Sequence, residues 1–237
     1  MARYPDFDEH QVIERAMNAF WAHGVKALTV TDLLERTGLA RSSFYSSFGS
    51  KEAVLRASLR RYADERVEAL RETLASGSLR HAMERIFAAA IDDNYRGRGC
   101  LLLNFAVEAG SAKSAAAPEL RDGIRRMMVQ LSARARQPQA EGELPATVAP
   151  EEFGVLVCTA IAGLRTFVKA GLSRAELRQA AARMIGLLTC NHTTVDNTAP
   201  SRSEASARRI ARPRELPAKR SARGRGRNSE RRVDSAV

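Results

Sequence analysis

Cysteine pairs, long apolar runs and a secretion signal are all missing from this 237-residue chain, and each absence excludes a class of protein. The three cysteines, Cys100, Cys158 and Cys190, have no CxxC spacing, so we expect neither a disulfide framework nor a zinc site. No run of about 20 apolar residues exists, which argues against a membrane span. The N-terminal sequence MARYPDFDEHQ lacks the apolar core of a signal peptide, so we expect a cytoplasmic protein without a membrane partner.

Motifs of catalysis and of metal binding are missing as well. The chain has no G-x-S-x-G, no phosphate-binding P-loop and no dinucleotide fingerprint. Its four histidines, His10, His23, His81 and His192, are scattered, and Cys190 with His192 makes only a lone C-x-H pair. We therefore predict that the protein is not an enzyme and that it holds no metal ion and no cofactor.

Helix-forming apolar residues and positive charge are abundant. Hydrophobic residues make up 44% of the chain and aromatics only 5%, and the predominance of Ala, Leu and Val favours helix over strand. The formal net charge of +11 is typical of a protein with a polyanionic partner. Residues 193–237 hold twelve Lys and Arg against five Asp and Glu, a net charge of +7, without apolar periodicity. We predict that this segment is a disordered basic tail.

The first 50 residues have the pattern of three short helices. Apolar residues recur at helical spacing in EHQVIERAMNAFWAHG, which predicts the first helix. Thr29 and Asp32 form a T-x-x-D start for the second helix, and Gly38 ends it. A third helix is predicted over about 41–47, and Ser50 caps a fourth. Helices joined by a tight glycine-containing turn indicate a helix-turn-helix, in which the third helix enters the DNA major groove.

The predicted third helix has an apolar face and a hydrogen-bonding face. Phe44 and Phe48 lie at i, i+4, so we expect them to pack on the first two helices. The opposite face carries the side chains expected to bind DNA: Arg41, Ser42, Ser43, Tyr45, Ser46 and Ser47. Hydroxyl and guanidinium groups suit phosphate oxygens and base edges, and Lys51 at the next helix N-terminus suits a phosphate. The alternative is that these serines are ordinary solvated side chains.

Residues 8–60 resemble the N-terminal domain of the tetracycline-repressor (TetR) family of bacterial regulators. The resemblance rests on TVTDLLERTGLARSSFYSSFGSKEAVLRA, where the turn glycine, the tyrosine, the aromatic end and the lysine fit together. It implies a helix-turn-helix at about 29–48. It also implies that phosphate and groove contacts come from Thr29, Arg41, Ser43, Tyr45 and Lys51.

Two positions depart from the family pattern. Ala40 stands where the family often has a Ser or Thr, so the cap of the third helix is weakened. Ser47 stands where the family often has His, which changes the backbone or base atom that can be reached.

The region that follows is predicted to form five further helices, at 79–94, 101–110, 119–136, 151–170 and 174–190. The last two are apolar over much of their surface. The family resemblance implies that they pair with their copies across a two-fold axis. In such a dimer the same apolar patch on each copy buries that of the other. The alternative is that these residues fill the domain's own core. We expect both in part and favour a homodimer.

A small-molecule sensor is the second expectation for this region, because the TetR family usually has an apolar ligand pocket here. Candidates for the lining are Phe87, Tyr95, Phe105, Met127 and Met128. Cys100 is the more specific candidate, because it lies at a loop-to-helix junction near Arg96 and Arg98, where the pKa of a thiol can be lowered. The alternative is that Cys100 and the aromatic residues are simply part of the core.

The sequence therefore predicts an all-α protein with an N-terminal three-helix domain and a larger helical domain. Residues 1–57 form the helix-turn-helix domain, 58–192 form the ligand-binding and dimerisation domain, and 193–237 form the basic tail. We predict a sequence-specific DNA-binding transcriptional regulator, most simply a dimeric repressor that an unknown small-molecule inducer releases from a palindromic operator. The alternative is a general nucleic-acid-binding protein dominated by its basic tail.

Overall fold

The computed structural model describes residues 7–75, 77–92, 97–109 and 114–189, and every regular element among them is an α-helix. The helices are α1 Glu9–His23, α2 Val30–Thr37, α3 Arg41–Phe48, α4 Lys51–Leu74, α5 Leu79–Asp92, α6 Leu101–Ala109, α7 Ala117–Ala140, α8 Pro150–Lys169 and α9 Arg174–Leu188. The all-α prediction is confirmed for these residues. The predicted tail at 193–237 lies outside them, as do Tyr95, Arg96 and Cys190.

Local capping groups fix the starts of the N-terminal helices. The Thr29 hydroxyl accepts the backbone N–H of Asp32, and the Asp32 carboxylate accepts the backbone N–H of Thr29. The Ser50 hydroxyl accepts the backbone N–H of Ala53 at the start of α4. Ala40 gives α3 no side-chain cap, as its sequence predicts. The order of three short helices and a long fourth is therefore confirmed.

The seventh helix is longer than predicted. The sequence pattern indicates a helix over 119–136 followed by a loop, whereas α7 extends to Ala140 and includes Pro138. Pro138 lies in the last turn, where the proline removes its own N–H donor but only two more residues remain helical. Its ring is buried. The predicted end at residue 136 is therefore four residues too early.

A first hydrophobic cluster joins the N-terminal helices to α6 and to the start of α7. Phe20, Phe44 and Tyr62 are among its fully buried side chains. The rings of Trp21 and Tyr62 meet edge-on, with centroids 5.0 Å apart. Because Leu102 of α6 belongs to the same cluster, the N-terminal helices share a core with the region behind them.

A second hydrophobic cluster holds α5, α7, α8 and α9 together, with Phe87 and Phe153 fully buried. The approach of α8 to α7 depends on Gly154. A Cβ at this position would lie 2.6 Å from the backbone oxygen of Met128, closer than real Cβ contacts. The backbones of α7 and α8 therefore lie close together at this point. The cavity described below lies between α4, α5, α7 and α8.

Candidate nucleic-acid interface

The turn between α2 and α3 holds α3 in a fixed position. Gly38 adopts a left-handed conformation with φ of 75°, which favours glycine, and its N–H donates to the Leu34 oxygen at 2.9 Å. Leu33 and Leu39 on either side are buried. The Arg15 guanidinium on α1 donates to the Thr37 oxygen at 3.1 Å. The helix that follows the turn is therefore supported by both α1 and α2.

The outer face of α3 carries the hydrogen-bonding groups that the sequence predicts. Phe44 is buried, and its ring lies 5.9 Å from that of Phe48, which packs against Phe7. Tyr45 is 46% exposed, and its ring meets Phe44 edge-on. Arg41, Ser42, Ser46 and Ser47 are also exposed, whereas Ser43 is half-buried. The apolar residues thus face inward, and five of the six predicted contact residues on this helix face outward.

Two of the polar side chains on α3 have partners within the protein. The Ser46 hydroxyl donates to the backbone oxygen of Ser43 at 3.1 Å. The Arg41 guanidinium lies 3.4 Å from the Thr31 hydroxyl, a weak contact between exposed groups. Both contacts are at the surface, so the guanidinium and the hydroxyl lone pairs of this face can still meet a ligand from solvent.

Thr29 and Lys51 make hydrogen bonds that stabilise the N-terminal helices α1 to α4, which we call the head. The Thr29 hydroxyl also donates to the Asp32 carboxylate at 2.6 Å. Hydrogen bonds from the Thr29 side chain and backbone lower the pKa of Asp32, so the carboxylate stays ionised in the capping box. The Lys51 ammonium donates to the backbone oxygens of Val25, at 2.7 Å, and Leu28. An ammonium has three N–H donors, so two of those of Lys51 are already used.

Helix α6 connects the N-terminal helices to the rest of the protein through hydrogen bonds that the sequence did not predict. The Glu108 carboxylate accepts the backbone N–H of Val25 at 2.8 Å and that of Lys26. Just before α6, the Gly99 oxygen accepts the indole N–H of Trp21 at 3.1 Å. The Arg98 guanidinium lies over the Trp21 ring, 4.5 Å from its centroid. The loop between α1 and α2 is therefore held by α6 on one side and by Lys51 on the other.

A cavity of about 560 Å³ lies behind α6, between α4, α5, α7 and α8. Of the predicted lining residues, Met127, Met128 and Cys100 do line it. Phe105 does not, because it is fully buried in the first hydrophobic cluster; Phe87 is likewise buried in the second. Their aromatic rings fill the core, which is the alternative that the sequence left open.

The two described thiols differ in their surroundings, although both line this cavity. Cys100 is 7% exposed and immediately precedes α6, where its oxygen accepts the Asn104 N–H at 2.9 Å. It also lines a second cavity of about 670 Å³ on the Trp21 side of α6. Cys158 on α8 is half-buried, and burial raises the pKa of its thiol to about 11. The predicted junction position of Cys100 is confirmed.

Helices α8 and α9 expose apolar side chains on their outer surfaces. Val155, Leu156 and Phe167 on α8 are about half exposed, and Leu187 on α9 is 80% exposed. In contrast, Leu164 is buried in the second cluster. The apolar surface of these helices therefore divides between the core and an uncovered face, as expected.

The described residues lack two further features. They contain no group of three or more His, Cys, Asp or Glu side chains that could hold a metal ion. No helix in the described ranges is long and apolar enough to cross a membrane.

Comparison with protein families gives two matches, which cover different parts of the chain. Residues 12–58 match the family described as bacterial regulatory proteins, tetR family. Residues 75–184 match the tetracyclin repressor-like C-terminal domain. Together the matches extend over most of the described residues, including α2, α3, α5, α6, α7 and α8, and leave out residues 59–74 of α4.

Individual relatives agree with these matches. The chain is 31% identical over 112 residues to YezE, an uncharacterized HTH-type transcriptional regulator of Bacillus subtilis (strain 168); the aligned part covers 46% of this chain and 58% of YezE, less than two thirds of its length. It is 28% identical over 187 residues to the HTH-type transcriptional repressor ComR of Escherichia coli (strain K12), covering 76% of this chain and 89% of ComR. A solved structure of a cysteine mutant of the TetR family regulator CifR, complexed with 26bp double-strand operator DNA, has a TM-score of 0.65 and 26% identity, covering 77% of this chain and 98% of that one.

Proposed function

Because the chain belongs to the TetR family of bacterial regulators, we propose that it is a dimeric transcriptional repressor that binds a palindromic operator and leaves it when a small molecule binds. Residues 1–57 contact DNA, 58–192 bind the inducer and form the dimer, and the basic segment 193–237 adds affinity for any DNA. The protein acts as a binding protein rather than an enzyme, in the cytoplasm, where bacterial DNA lies.

One observation carries the DNA-binding part of this proposal, namely the exposed polar face of α3 on a buried apolar support. Arg41 and Tyr45 project from a helix anchored by Phe44, so they can be held at fixed positions against a groove. Small serines beside them let the helix backbone approach the groove floor, and their hydroxyls suit phosphates and base edges. Ser42, Ser43, Ser46 and Ser47 complete this contact surface.

Thr29 and Lys51 act mainly by positioning. Each is hydrogen-bonded within the head, and together they fix the starts of α2 and α4 and the loop between α1 and α2. We propose that the remaining N–H of the Lys51 ammonium contacts a phosphate. The loss of DNA affinity on removing Lys51 would then come both from the missing phosphate contact and from the changed position of the loop.

The dimer is proposed from the uncovered apolar side chains on α8 and α9. Leu156, Phe167 and Leu187 are exposed on helices that otherwise pack inward. A second copy can bury the same residues through a two-fold axis, since such an interface is self-complementary. Two copies of α3 would then lie in successive major grooves, about 34–36 Å apart.

Competition binding tests the proposal. DNA that co-purifies with the full chain supplies the operator, and mobility shifts compare it with random DNA. The full chain should prefer the operator by roughly 10³-fold or more. Tyr45→Phe should weaken operator binding by several-fold, because it removes one hydroxyl contact, whereas Tyr62→Phe removes a buried hydroxyl and should not.

A chain truncated after residue 192 separates this function from the tail-dominated alternative. Counterion release by a polycation is strongly salt-dependent and independent of base sequence. Truncation should therefore weaken binding to random DNA more than binding to the operator. A full chain without operator preference, which loses binding to both sequences on truncation, would show that the basic segment rather than α3 carries DNA binding.

A further inference from the structure

Helices α4 and α7 lie side by side and run in the same direction. A Cβ on Gly123 of α7 would lie 2.8 Å from the Cβ of Ala63 on α4, so the two helices are in close contact at this point. Beside this contact, the Arg126 guanidinium of α7 lies 2.6 Å from the Asp64 carboxylate of α4. Residue numbers rise together along the two helices, so the start of α7 lies against the start of α4.

The start of α7 is capped by a side chain of the head. Ala116, the residue before α7, has no side chain that can accept a hydrogen bond. The Glu52 carboxylate, in the first turn of α4, accepts the Ala116 N–H at 3.1 Å and the Ser114 hydroxyl at 2.9 Å. A carboxylate is also the charge that a helix N-terminus favours. The residue that follows Lys51 in the chain therefore joins the head to α7.

An ion pair lies about one turn further along both helices. Arg56 Nε on α4 donates to Glu119 Oε1 on α7 at 2.7 Å, and the Glu119 side chain is only 7% exposed. Burial acts to raise the pKa of Glu119, but the hydrogen bonds from Arg56 and from its own backbone N–H, with the charges of Arg56 and Arg60, lower it. The carboxylate is therefore ionised at neutral pH, and breaking the pair leaves a buried charge without this partner.

Helix α7 connects these contacts to the helices of the proposed dimer interface. Its backbone at Met128 lies against Gly154 of α8, where a Cβ would be 2.6 Å from the Met128 oxygen. The outer surface of α8 carries Leu156 and Phe167, which are exposed and face the second copy in the proposed dimer. Closely packed helices thus lead from the head through α7 to the partner subunit.

We infer that Glu52, Arg56 and Glu119, which we call the clamp, fix the orientation of the head on α7 and thereby set the separation of the two α3 helices in the dimer. The inference rests on the proposed function, since it needs a dimer on an operator with two half-sites. The two carboxylates are positioning residues: they repel phosphates and act on DNA only through the helices that they hold together.

Operators with one base pair added between the half-sites, or removed, test whether the separation is fixed. One base pair moves a half-site by about 3.4 Å along the duplex and turns it by roughly 35° about the axis. A head held by the clamp cannot follow this change. The full-length wild type should therefore bind the altered operators roughly tenfold more weakly than the natural one, or weaker still.

Two substitutions loosen the clamp by different routes. Glu119→Gln removes the charge that pairs with Arg56, and Glu52→Ala removes the acceptor at the start of α7 but keeps the ion pair. Each variant should bind the natural operator about tenfold more weakly, because its heads must be ordered on binding, and the penalty for altered spacing should shrink to roughly threefold or less. Affinity for random DNA should stay the same or rise, because a carboxylate that repels phosphates is gone.

Two further variants are the controls. Glu52→Gln keeps a carbonyl oxygen that can accept the Ala116 N–H, so it should keep both the operator affinity and the spacing penalty of the wild type. Glu68→Gln removes an exposed carboxylate from the same helix, where Glu68 pairs only at the surface with Arg71. It should not weaken operator binding, and its spacing penalty should be that of the wild type.

Two results would overturn the inference. One is that Glu119→Gln and Glu52→Ala bind the natural operator as tightly as the wild type does. The other is that they lose affinity equally for natural and altered spacing, while circular dichroism and light scattering show folded dimers. Glu52→Ala keeps the buried ion pair, so it decides the question if Glu119→Gln does not fold. A wild type that prefers neither the operator nor its spacing would instead contradict the proposed regulator itself.

Discussion

Lys51 and Arg41 have different surroundings, although the sequence predicts that both bind DNA. The Lys51 ammonium is half-buried and donates to the backbone oxygens of Val25 and Leu28. The Arg41 guanidinium is exposed and has only a weak contact to Thr31. A change at Lys51 should therefore affect the stability of the head as well as DNA binding, and a change at Arg41 only the latter.

Lys51→Met tests this difference, because methionine keeps an unbranched apolar side chain and removes the ammonium. The free energy of unfolding should fall by about 2 kcal/mol, the scale of a lost hydrogen bond to a charged group, and Tm by roughly 4–8 °C. Operator affinity should fall with it. Calorimetry and mobility shifts on one preparation measure both. Lys26→Met, in an exposed position of the same loop, is the control and should leave Tm unchanged.

Cys100 remains a proposed sensor, and its comparison with Cys158 makes the proposal testable. Iodoacetamide should modify Cys100 before Cys158, because burial raises the pKa of Cys158 to about 11 and leaves little reactive thiolate at neutral pH. The adduct at Cys100 should release the operator, since the site borders both cavities next to α6. Mass spectrometry identifies the modified residue.

The variant Cys100→Ser should bind the operator and fail to respond to iodoacetamide. Cys158→Ser is its counterpart and should keep the response. Native protein that remains unmodified at Cys100, under conditions that alkylate it after unfolding, would leave Cys100 as a core residue without a sensing role.

At the scale of helices, the sequence predicts the features that depend only on residues close together in the chain. The Thr29 and Asp32 capping box, the turn at Gly38 and the inward position of Phe44 are all local, and all are found. The end of α7 was missed because proline in a last turn costs less than proline inside a helix. The apolar pattern and the spacing of the capping and turn residues therefore predict most of the helices.

The connections between helices could not be predicted, because they join residues far apart in sequence. Glu108 accepts the N–H groups of a loop more than 80 residues earlier, and nothing in the NFAVEAG stretch indicates such a contact. The lining of the cavity could not be predicted for the same reason: Arg66 and Arg165 come from α4 and α8, and only packing brings both to its wall. Phe105 was predicted to line the pocket because its residue type suits both a pocket and a core.

Glu108→Ala tests whether α6 controls the loop between α1 and α2. Removing the carboxylate leaves the Val25 and Lys26 N–H groups without their acceptor. Their hydrogen exchange should become roughly 10- to 100-fold faster, as for the loss of a charge-assisted hydrogen bond. Exchange read by NMR measures this directly. The response of operator binding to a cavity ligand should also weaken.

Glu143→Ala removes an exposed carboxylate beyond the end of α7 and controls for the change in charge. It should leave exchange at Val25 and Lys26 as in the wild type. Unchanged exchange in Glu108→Ala would mean that Lys51 alone holds the loop, and α6 would then have no direct part in positioning the head.

At the scale of the whole molecule, the dimer decides whether one protein can occupy both halves of an operator. Leu187→Asp should separate the subunits, because each interface would bury an unpaired carboxylate at a cost of several kcal/mol. Light scattering on wild type at micromolar concentration should give the mass of a dimer, and on the variant the mass of a monomer. Leu164 is unsuitable for this test because it lies in the core.

Val129→Asp is the matched control for the dimer. Val129 on α7 is also an exposed large apolar side chain, 56% exposed, but lies outside α8 and α9. It should remain a dimer and bind the operator as the wild type does. A monomeric wild type, or equal dissociation of both variants, would contradict the assignment of the interface to the last two helices.

The most direct test of DNA recognition by a pair of α3 helices is a hydroxyl-radical footprint of the full chain on its operator. Two symmetric half-sites should be protected on one face of the duplex, with centres one helical turn, about 10–10.5 bp, or a multiple of it apart. Arg41→Ala and Tyr45→Phe should weaken protection equally in both halves. A single unsymmetrical footprint, or uniform protection that follows the length of DNA rather than its sequence, would contradict the account.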